Sequence, residues 1–586
     1  MISNREELQI RLNLLWASLA FAIAFLGVRL MQIQVVQNLY YAQAAERNRT
    51  LIIPAAAPRG LIYDRAGRIV ATNEPISSLV YMPGKDRETA KMAALARILS
   101  PLIRKDAAEI FKILDQAVEE ESPIRLAEKL PKTVMFKLRE LVPIFPALYV
   151  IDEARRNYPQ GAFAAHLVGY MGRMNEASWK KLKREGYRVD SWIGRSGIEN
   201  IFERELRGQD GGIRVEVDAR RRRVEKRSPE RIKPKRGSNL WLTIDSRLQK
   251  IAEDALRATP TKSGAVVALD PRDGSILALA SIPDFDPNLF LTPENVKGEK
   301  LKKIPEFNLA VQGKYAPGSI FKVVSGAAIL EEAQIDTKER IYCPGYFELG
   351  NRVFMCHLHQ GHRYQTWTQA MANSCDVYFY QMGLRTGPSV IEKYERMFHL
   401  GEKTLVGLPG ESSGRVAGPE TRHARKLSWR DGDTLNLAIG QGELEVTPVQ
   451  MAMMIAAVAN RGTLWRPRFI DRIEYPEEQA PYQYKPEALG RVTLREATWT
   501  NLQDALVHVV KEGTGVGLQV PGLVIGGKTG TAQNPGGEDH AWFVAYAGKP
   551  NEDPALAVAV LVSHGGHGGV TAVPVAKELI RAEFGL

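Results

Sequence analysis

The sequence predicts a single N-terminal membrane-spanning helix, an α+β domain behind it and a larger mixed α/β domain at the C-terminal end. Three observations carry this. An uncharged apolar run, "LNLLWASLAFAIAFLGV", occupies residues 12–28. A dense basic cluster with Pro and Gly, residues 218–239, separates two stretches of different texture. Beyond it, strand-like runs open and close the chain around a helical middle. At 586 residues the chain is too long for one compact domain. With 44% hydrophobic and 25% charged residues, it is not a disordered chain. No internal repeat is visible, which argues against solenoids and propellers.

The apolar run rises roughly 25 Å as a helix, slightly short of a bilayer core of about 30 Å. Arg29 can snorkel, and "LMQIQVV" can lengthen the span outward. A cleaved signal peptide and a buried core helix are the competing readings. "AQA" at 42–44 resembles a cleavage tripeptide but lies well past the apolar run, so an uncleaved anchor over residues 12–32 is expected. Arg5 and Arg11 balance Glu6 and Glu7, so flanking charge orients the helix only weakly. Topology has to come from the chemistry downstream.

Residues 45–235 form the predicted first domain. "RNRTLIIPAAAPRGLIYDRAGRIVATNEP" alternates short apolar runs with Gly, Pro and Asp, the pattern of strands and turns. "KMAALARILSPLIRKDAAEIFKILDQAVEE" has apolar residues at helical spacing. "GRSGIENIFERELRGQDGG" reads as a Gly-bounded amphipathic helix. The basic cluster that follows is either a solvated edge strand and linker or a patch for anionic polymer or lipid headgroups. The net charge of +11, from 78 Lys+Arg against 67 Asp+Glu, suits an anionic surface without selecting one. No nucleic acid is expected as a partner.

The second domain, 237–586, starts with "GAVVALD" and "GSILALASI" as a strand pair around a turn. Helical patterns follow at 318–332, 366–385 and 446–460. "LVIGGKTGTA", "AWFVAYAGK" and "ALAVAVLVSH" return to strands before a last helix. First and last segments therefore share one sheet.

Three short motifs carry the chemistry. "YAPGSIFKVV" puts Ser319 one helical turn before Lys322, behind a Pro-Gly turn. Alone, such a pair is more often a helix cap beside a surface lysine. "SCD" at 374–376 lies in a helical segment, and "KTG" at 528–530 in a predicted strand. S-x-x-K, S-x-N/D and K-T-G in this order and in these settings form one catalytic set.

These motifs, with "PRGLIYDRAGRIVATN", "RRNYPQGAFAAHLVGYMG", "GRSGIENIFERELRG" and "GDTLNLAIGQGELEVTPVQMA", resemble the class B penicillin-binding proteins over nearly the whole chain. The resemblance implies an N-terminal transmembrane helix, an α+β pedestal of the dimerisation type over 45–235, and a penicillin-binding transpeptidase domain over 237–586. That domain is an antiparallel sheet flanked by helices. The implied activity is that of a serine-type D-Ala-D-Ala transpeptidase that cross-links peptidoglycan stem peptides and is inhibited by β-lactams. The absence of a glycosyltransferase sequence argues against the bifunctional class A enzymes. Asp at 376, where Asn is common, and "IGQG" point to the elongation-type subgroup, often called penicillin-binding protein 2. A division-type transpeptidase is the nearer alternative. A β-lactamase or D,D-carboxypeptidase would use the same motifs without needing anchor or pedestal. A β-lactam receptor would need more spans and a larger cytoplasmic output than residues 1–11, here a cytoplasmic tail, provide.

On this resemblance Ser319 is the nucleophile, which a serine hydroxyl becomes only beside a base. Lys322 is that base if burial and the charge of Lys528 hold its amine neutral. Ser374 relays a proton to the leaving amine. Lys528 and Thr529 suit the substrate's terminal carboxylate, Gly530 lets an extended peptide lie on the strand, and Thr531 offers another hydroxyl. The backbone N–H groups of Ser319 and Thr531 form the oxyanion hole. The role of Asp376, toward substrate or toward Lys322, stays open.

All three cysteines, Cys343, Cys356 and Cys375, fall close to His357, His359 and His362. Acyl transfer requires no cofactor, so their role is structural. A Cys343–Cys356 disulfide and three inert thiols are two readings. The third is a structural zinc on Cys343, Cys356, His362 and Cys375, a Cys₃His set with spacing C-x12-C-x5-H-x12-C, His357 being the substitute for His362. Zinc there would brace the motif at Ser374.

The resemblance finally implies a single-pass protein of the cytoplasmic (inner) membrane with its catalytic domain on the extracytoplasmic side. Its expected partners are the membrane, a multi-span glycan polymerase of the RodA type and other elongation-complex proteins.

Overall fold

In the computed structural model, residues 3–41, 50–83, 88–119, 123–145, 147–188, 190–217, 230–291, 303–333, 335–476, 479–534 and 536–586 are described. The core of the basic cluster, 218–229, and the "AQA" tripeptide lie outside them. The apolar run is part of a continuous helix, Ser3–Met31, followed by a single wider turn, Gln32–Val36. Among the described residues one helix, Glu7–Val36, is long and apolar enough to cross a membrane. Trp16, Phe21, Phe25 and Leu26 on it are exposed, as lipid-facing side chains are.

Contacts divide the chain into two compact units. The first contains residues 1–58, 75–155 and 209–235, the second 59–74, 156–208 and 236–586. In the first, Thr50–Ala55, Gly211–Glu216 and Glu230–Ile232 form an antiparallel three-stranded sheet. The helical pattern of 91–120 folds as two helices, Thr89–Ile103 and Ala107–Glu119. Arg104, in the left-handed conformation at φ 53°, ends the first. Leu95, Leu99, Ile110 and Leu114 on these helices are buried together with Leu79, Leu126 and Leu148. Glu153, also buried, takes Arg125 at 2.7 Å and the Ser78 hydroxyl at 2.6 Å.

The second unit is built on a five-stranded sheet in the order Ile276–Ile282, Gly264–Leu269, Leu556–Val562, His540–Gly548, Val524–Ala532, antiparallel throughout. The first strand pair docks beside Leu556–Val562, so the sheet closes with the two ends of the domain side by side. Alternate residues face opposite cores. Val266, Ala268, Val558 and Val560 pack with Leu248, Leu256, Leu579 and Ile580 of the helices Ser246–Arg257 and Gly568–Phe584. Val267, Leu269, Ala559 and Leu561 belong to the larger core with Pro448–Ala459. That helix is buried at every residue and, Gln450 apart, apolar all round, as a helix threading a core must be. Thr447 and Gln450 cap it reciprocally. Because both faces of the central strands are covered, they read in sequence as continuous apolar runs rather than alternating ones.

The segments 59–74 and 156–208 are joined to each other by a buried ion network. Arg59 binds Glu199 and Glu203, each at 2.6 Å, and Arg156 binds Glu199 at 2.5 Å. The Tyr158 hydroxyl donates to the same carboxylate. Burial opposes the Glu199 charge, but the Arg156 and Arg59 charges hold its carboxyl below the ordinary value. The "PRG" and "GIEN" sequences thus meet in space although 140 residues apart.

Candidate active site

Pro317 and Gly318 turn the chain into a short 3₁₀ turn, Gly318–Phe321, which runs into the helix Lys322–Glu332. Gly318 has φ 56°, and a β-carbon there would lie 2.4 Å from the Thr531 carbonyl oxygen. Both the turn and the close approach require glycine. Ser319 is thereby set on the floor of a cleft of about 520 Å³, with Ser374, Thr529, Gly530 and Thr531 around it. The three motifs converge there.

Lys322 is fully buried. Its Nζ donates to Asp376 Oδ1 at 2.6 Å, to the Ser374 carbonyl at 2.8 Å and to Ser374 Oγ at 3.2 Å. Among the described residues these, and not Ser319, are its hydrogen-bond partners. Ser374 occupies the left-handed region at φ 55°, a strained position for serine that places its hydroxyl between two lysines. Lys528, also fully buried, donates to Ser374 Oγ at 2.8 Å and to the Thr529 carbonyl at 3.0 Å. Burial, followed by the charge of Lys322, pushes the Lys528 amine well below its ordinary value. The surroundings thus drive Lys528 toward the neutral form.

Asp376 starts the helix Asp376–Thr386 and uses both oxygens. Oδ1 takes Lys322, and Oδ2 accepts the His357 backbone N–H at 2.8 Å. The position that the sequence left open between substrate and lysine thus serves the lysine.

Thr529 lies on the edge strand Val524–Ala532, in hydroxyl contact with Thr514 at 2.6 Å. Thr514 N donates to the Ala372 carbonyl, tying the loop to the end of the helix before Ser374. Gln441, from the "IGQG" stretch, donates to the Thr531 carbonyl at 3.2 Å. At the far wall a β-carbon on Gly568 would lie 2.2 Å from the Trp542 carbonyl and 2.5 Å from that of Gly530. Neither Thr514 nor Gln441 was singled out from the sequence. "GTG" at 513–515 and "GQG" at 440–442 were the available signals, both short and common.

Cys343, Cys356 and Cys375 carry free, buried thiols. Cys343 ends the strand Ile341–Cys343, Cys356 follows the strand Arg352–Met355, and Cys375 precedes the Asp376 helix. Their sulfurs and a ring nitrogen of His362 all lie within 4.8 Å of one another. His362 Nδ1 is 3.7 Å from Cys343 Sγ and 3.5 Å from Cys356 Sγ. The hydrogen bond with Cys375 pushes Cys356 toward the thiolate and Cys375 away from it. His357 lies between the cluster and Asp376: its Nδ1 is 3.5 Å from Oδ2, and its ring nitrogen, Cys356 Sγ and an Asp376 oxygen lie within 4.8 Å of one another.

Two families match the chain. The penicillin binding protein transpeptidase domain covers residues 264–581, and the penicillin-binding protein dimerisation domain residues 54–242. The peptidoglycan D,D-transpeptidase MrdA of Acinetobacter baumannii is 32% identical, over 93% of this chain and 83% of that protein. Among solved structures, the penicillin-binding protein PBP2 of Helicobacter pylori in complex with MreC aligns with a TM-score of 0.75 at 26% identity. It covers 92% of this chain and 99% of that one. A peptidoglycan synthase complex coordinating polymerization and crosslinking aligns with a TM-score of 0.72 at 31% identity, over 98% of both chains. With the transpeptidase match spanning more than half its length and the motif residues gathered in one cleft, this chain belongs to the class B penicillin-binding proteins of the elongation type, the penicillin-binding protein 2 group.

Proposed function

We propose that the chain is a serine-type peptidoglycan D,D-transpeptidase that cross-links stem peptides through a Ser319 acyl-enzyme during cell-wall elongation. The observation that carries this is the Ser374 hydroxyl held by both buried lysines beside Ser319, at 3.2 Å from Lys322 and 2.8 Å from Lys528.

The chemistry follows from that arrangement. Ser319 Oγ adds to the penultimate D-alanine carbonyl while its proton enters the Lys322–Ser374–Lys528 relay. Backbone N–H groups of Ser319 and Thr531 take the oxyanion. Collapse breaks the amide bond, and the departing D-alanine nitrogen receives a proton back from the relay. An amine of a second stem peptide then attacks the ester, forming the cross-link amide and releasing Ser319. General acid–base assistance of this kind contributes about 10²–10⁴-fold. The Thr529 and Thr531 hydroxyls suit the donor's terminal carboxylate, since the Lys528 amine is occupied by Ser374.

A fluorescent penicillin should label the chain, with the label on the peptide containing Ser319, and Ser319→Ala should abolish it. Label on Ser374 would refute the assignment.

The Cys343, Cys356, His362 and Cys375 donors fit a structural zinc: three buried thiols and one imidazole, close enough to share one ion. Bound zinc would pin the hairpin strands to Cys375, next to the relay serine, and would supply no step. The membrane helix, with Ala17, Ala20, Ala22, Ala24 and Gly27, offers small side chains to a multi-span glycan polymerase of the RodA type. The catalytic unit would then lie outside the cytoplasmic membrane, where the polymer is assembled. Replacing residues 12–32 by an unrelated apolar span should cost co-purification with that polymerase. Undiminished co-purification would reduce the helix to a tether.

A further inference from the structure

The loop after the helix Asp431–Ala438 supplies no group to the chemistry above, yet it is tied to both sides of the cleft. Ser325, on the nucleophile helix, donates its hydroxyl to the Ala438 carbonyl at 2.8 Å. Gly318 N donates to the Gly440 carbonyl at 2.9 Å. One residue on, Gln441 Nε2 donates to the Thr531 carbonyl at 3.2 Å. The loop is therefore fixed to the turn that holds Ser319 and reaches from there to the edge strand.

The strand Val524–Ala532 ends the five-stranded sheet, so among the described residues its outward N–H and C=O groups face no neighbouring strand. In a strand the N–H and C=O of one residue point to the same side. The Thr531 carbonyl faces Gln441 and closely approaches Gly318. The Thr531 N–H hence faces the same gap, on the side of Ser319. That is where an oxyanion donor has to stand, and the amide of Gln441 holds the residue that carries it.

We propose that Gln441 is a positioning residue for acyl transfer. It fixes Thr531 against the nucleophile turn and so sets the spacing between the Ser319 and Thr531 N–H groups. The inference rests on the transpeptidase reading above. A donor displaced by a fraction of an ångström in the free enzyme costs nothing, whereas in the tetrahedral intermediate it weakens the bond that matters. The loss should fall on the acylation step and not on the first, non-covalent encounter.

The test is stopped-flow acylation of the full chain in detergent by a fluorescent penicillin. It separates the dissociation constant of the encounter complex from the first-order acylation constant. Gln441→Met removes the amide at nearly constant length, and Gln441→Glu sets a carboxylate against the Thr531 carbonyl. Each should lower the acylation constant about tenfold or more, with the dissociation constant within about twofold of the parent and an unchanged melting temperature. An acylation constant equal to the parent's in either folded variant overturns the proposal, as does a loss confined to the dissociation constant. Failure of both variants to fold makes Gln441 structural and overturns it too. A parent chain not labelled on Ser319 overturns the functional reading itself, and a labelled parent with unaffected variants overturns only the role of Gln441.

Discussion

Lys322 Nζ and Asp376 Oδ1 lie 2.6 Å apart, the lysine side chain fully buried and that of the aspartate 9% exposed. Burial opposes the Asp376 charge, but the Lys322 charge together with the hydrogen bonds from His357 and Lys322 outweighs it, so the carboxyl sits below its ordinary value. Removing one partner of such a pair strands the other charge in a dry interior.

Asp376→Asn should therefore lower stability at neutral pH by about 3 kcal/mol, read from denaturant unfolding. The folded carboxyl lies below the unfolded 3.8, so the pair's contribution is complete above 3.8 and is lost as pH falls through the lower folded value. The gap between parent and variant should close in acid. A variant within about 0.5 kcal/mol of the parent, the size of an ordinary surface change, would show that the pair contributes nothing net.

Lys528 carries the second prediction. Its amine is pushed down by burial and is bonded to Ser374 Oγ, so it is suited to exchange a proton with the relay. Lys528→Arg puts a fixed charge there and cannot deprotonate. Acylation should fall by about 100-fold or more with a smaller change in the encounter constant. Weakened encounter alone would return Lys528 to the role of a carboxylate clamp.

The thiol cluster is tested by elemental analysis of chain purified without a metal-affinity tag. About one zinc per chain is expected from a single Cys₃His site. Cys356→Ser should lose it together with several degrees of melting temperature. Metal-free chain of unchanged stability in parent and variant would leave three inert thiols.

Glu253, on the helix Ser246–Arg257, is buried and accepts the Ala164 N–H at 2.7 Å and the Gln249 amide at 2.8 Å. Burial pushes its carboxyl from 4.5 up to about 7. The folded state then holds the proton more tightly than the unfolded one, so stability falls as pH rises between these values. Glu253→Gln keeps both acceptor contacts without the charge. It should match the parent below pH 4.5 and exceed it by up to about 3 kcal/mol above pH 7. Parallel stability–pH curves for the two chains would rule this out.

What the sequence disclosed depends on distance along the chain. Ser319 and Lys322 are one turn apart and Lys528 to Thr531 share one strand, so local periodicity placed them. The apolar runs of the central strands and of Pro448–Ala459 were legible because full burial leaves no polar alternation. Roles made by long-range contact were not. Asp376 meets Lys322 across 54 positions, and Gln441 meets Thr531 across 90. The division near residue 236 was visible as a change of texture, but the return of 59–74 and 156–208 to the second unit rests on Ile62–Tyr63 pairing with Leu240 and Trp241 and on the Ala164 N–H finding Glu253. Arg104, which splits one helical pattern in two, is an ordinary residue in an unusual backbone conformation and leaves no local mark.

The crowding of main chain around Gly318 and Gly568 bears on how such an enzyme can escape a drug. Any side chain at either position would collide with carbonyls of neighbouring strands at 2.2–2.5 Å, and those carbonyls belong to the sheet itself. Gly318 under the floor and Gly568 in the far wall are thus closed to substitution, and a chain that needs its activity cannot narrow the cleft at these two points against an inhibitor. Under antibiotic selection, change is channelled to the rim, where Met355 and His359 are exposed and border the same cleft. Resistance in this enzyme would be written in the mouth of the site and not in its base.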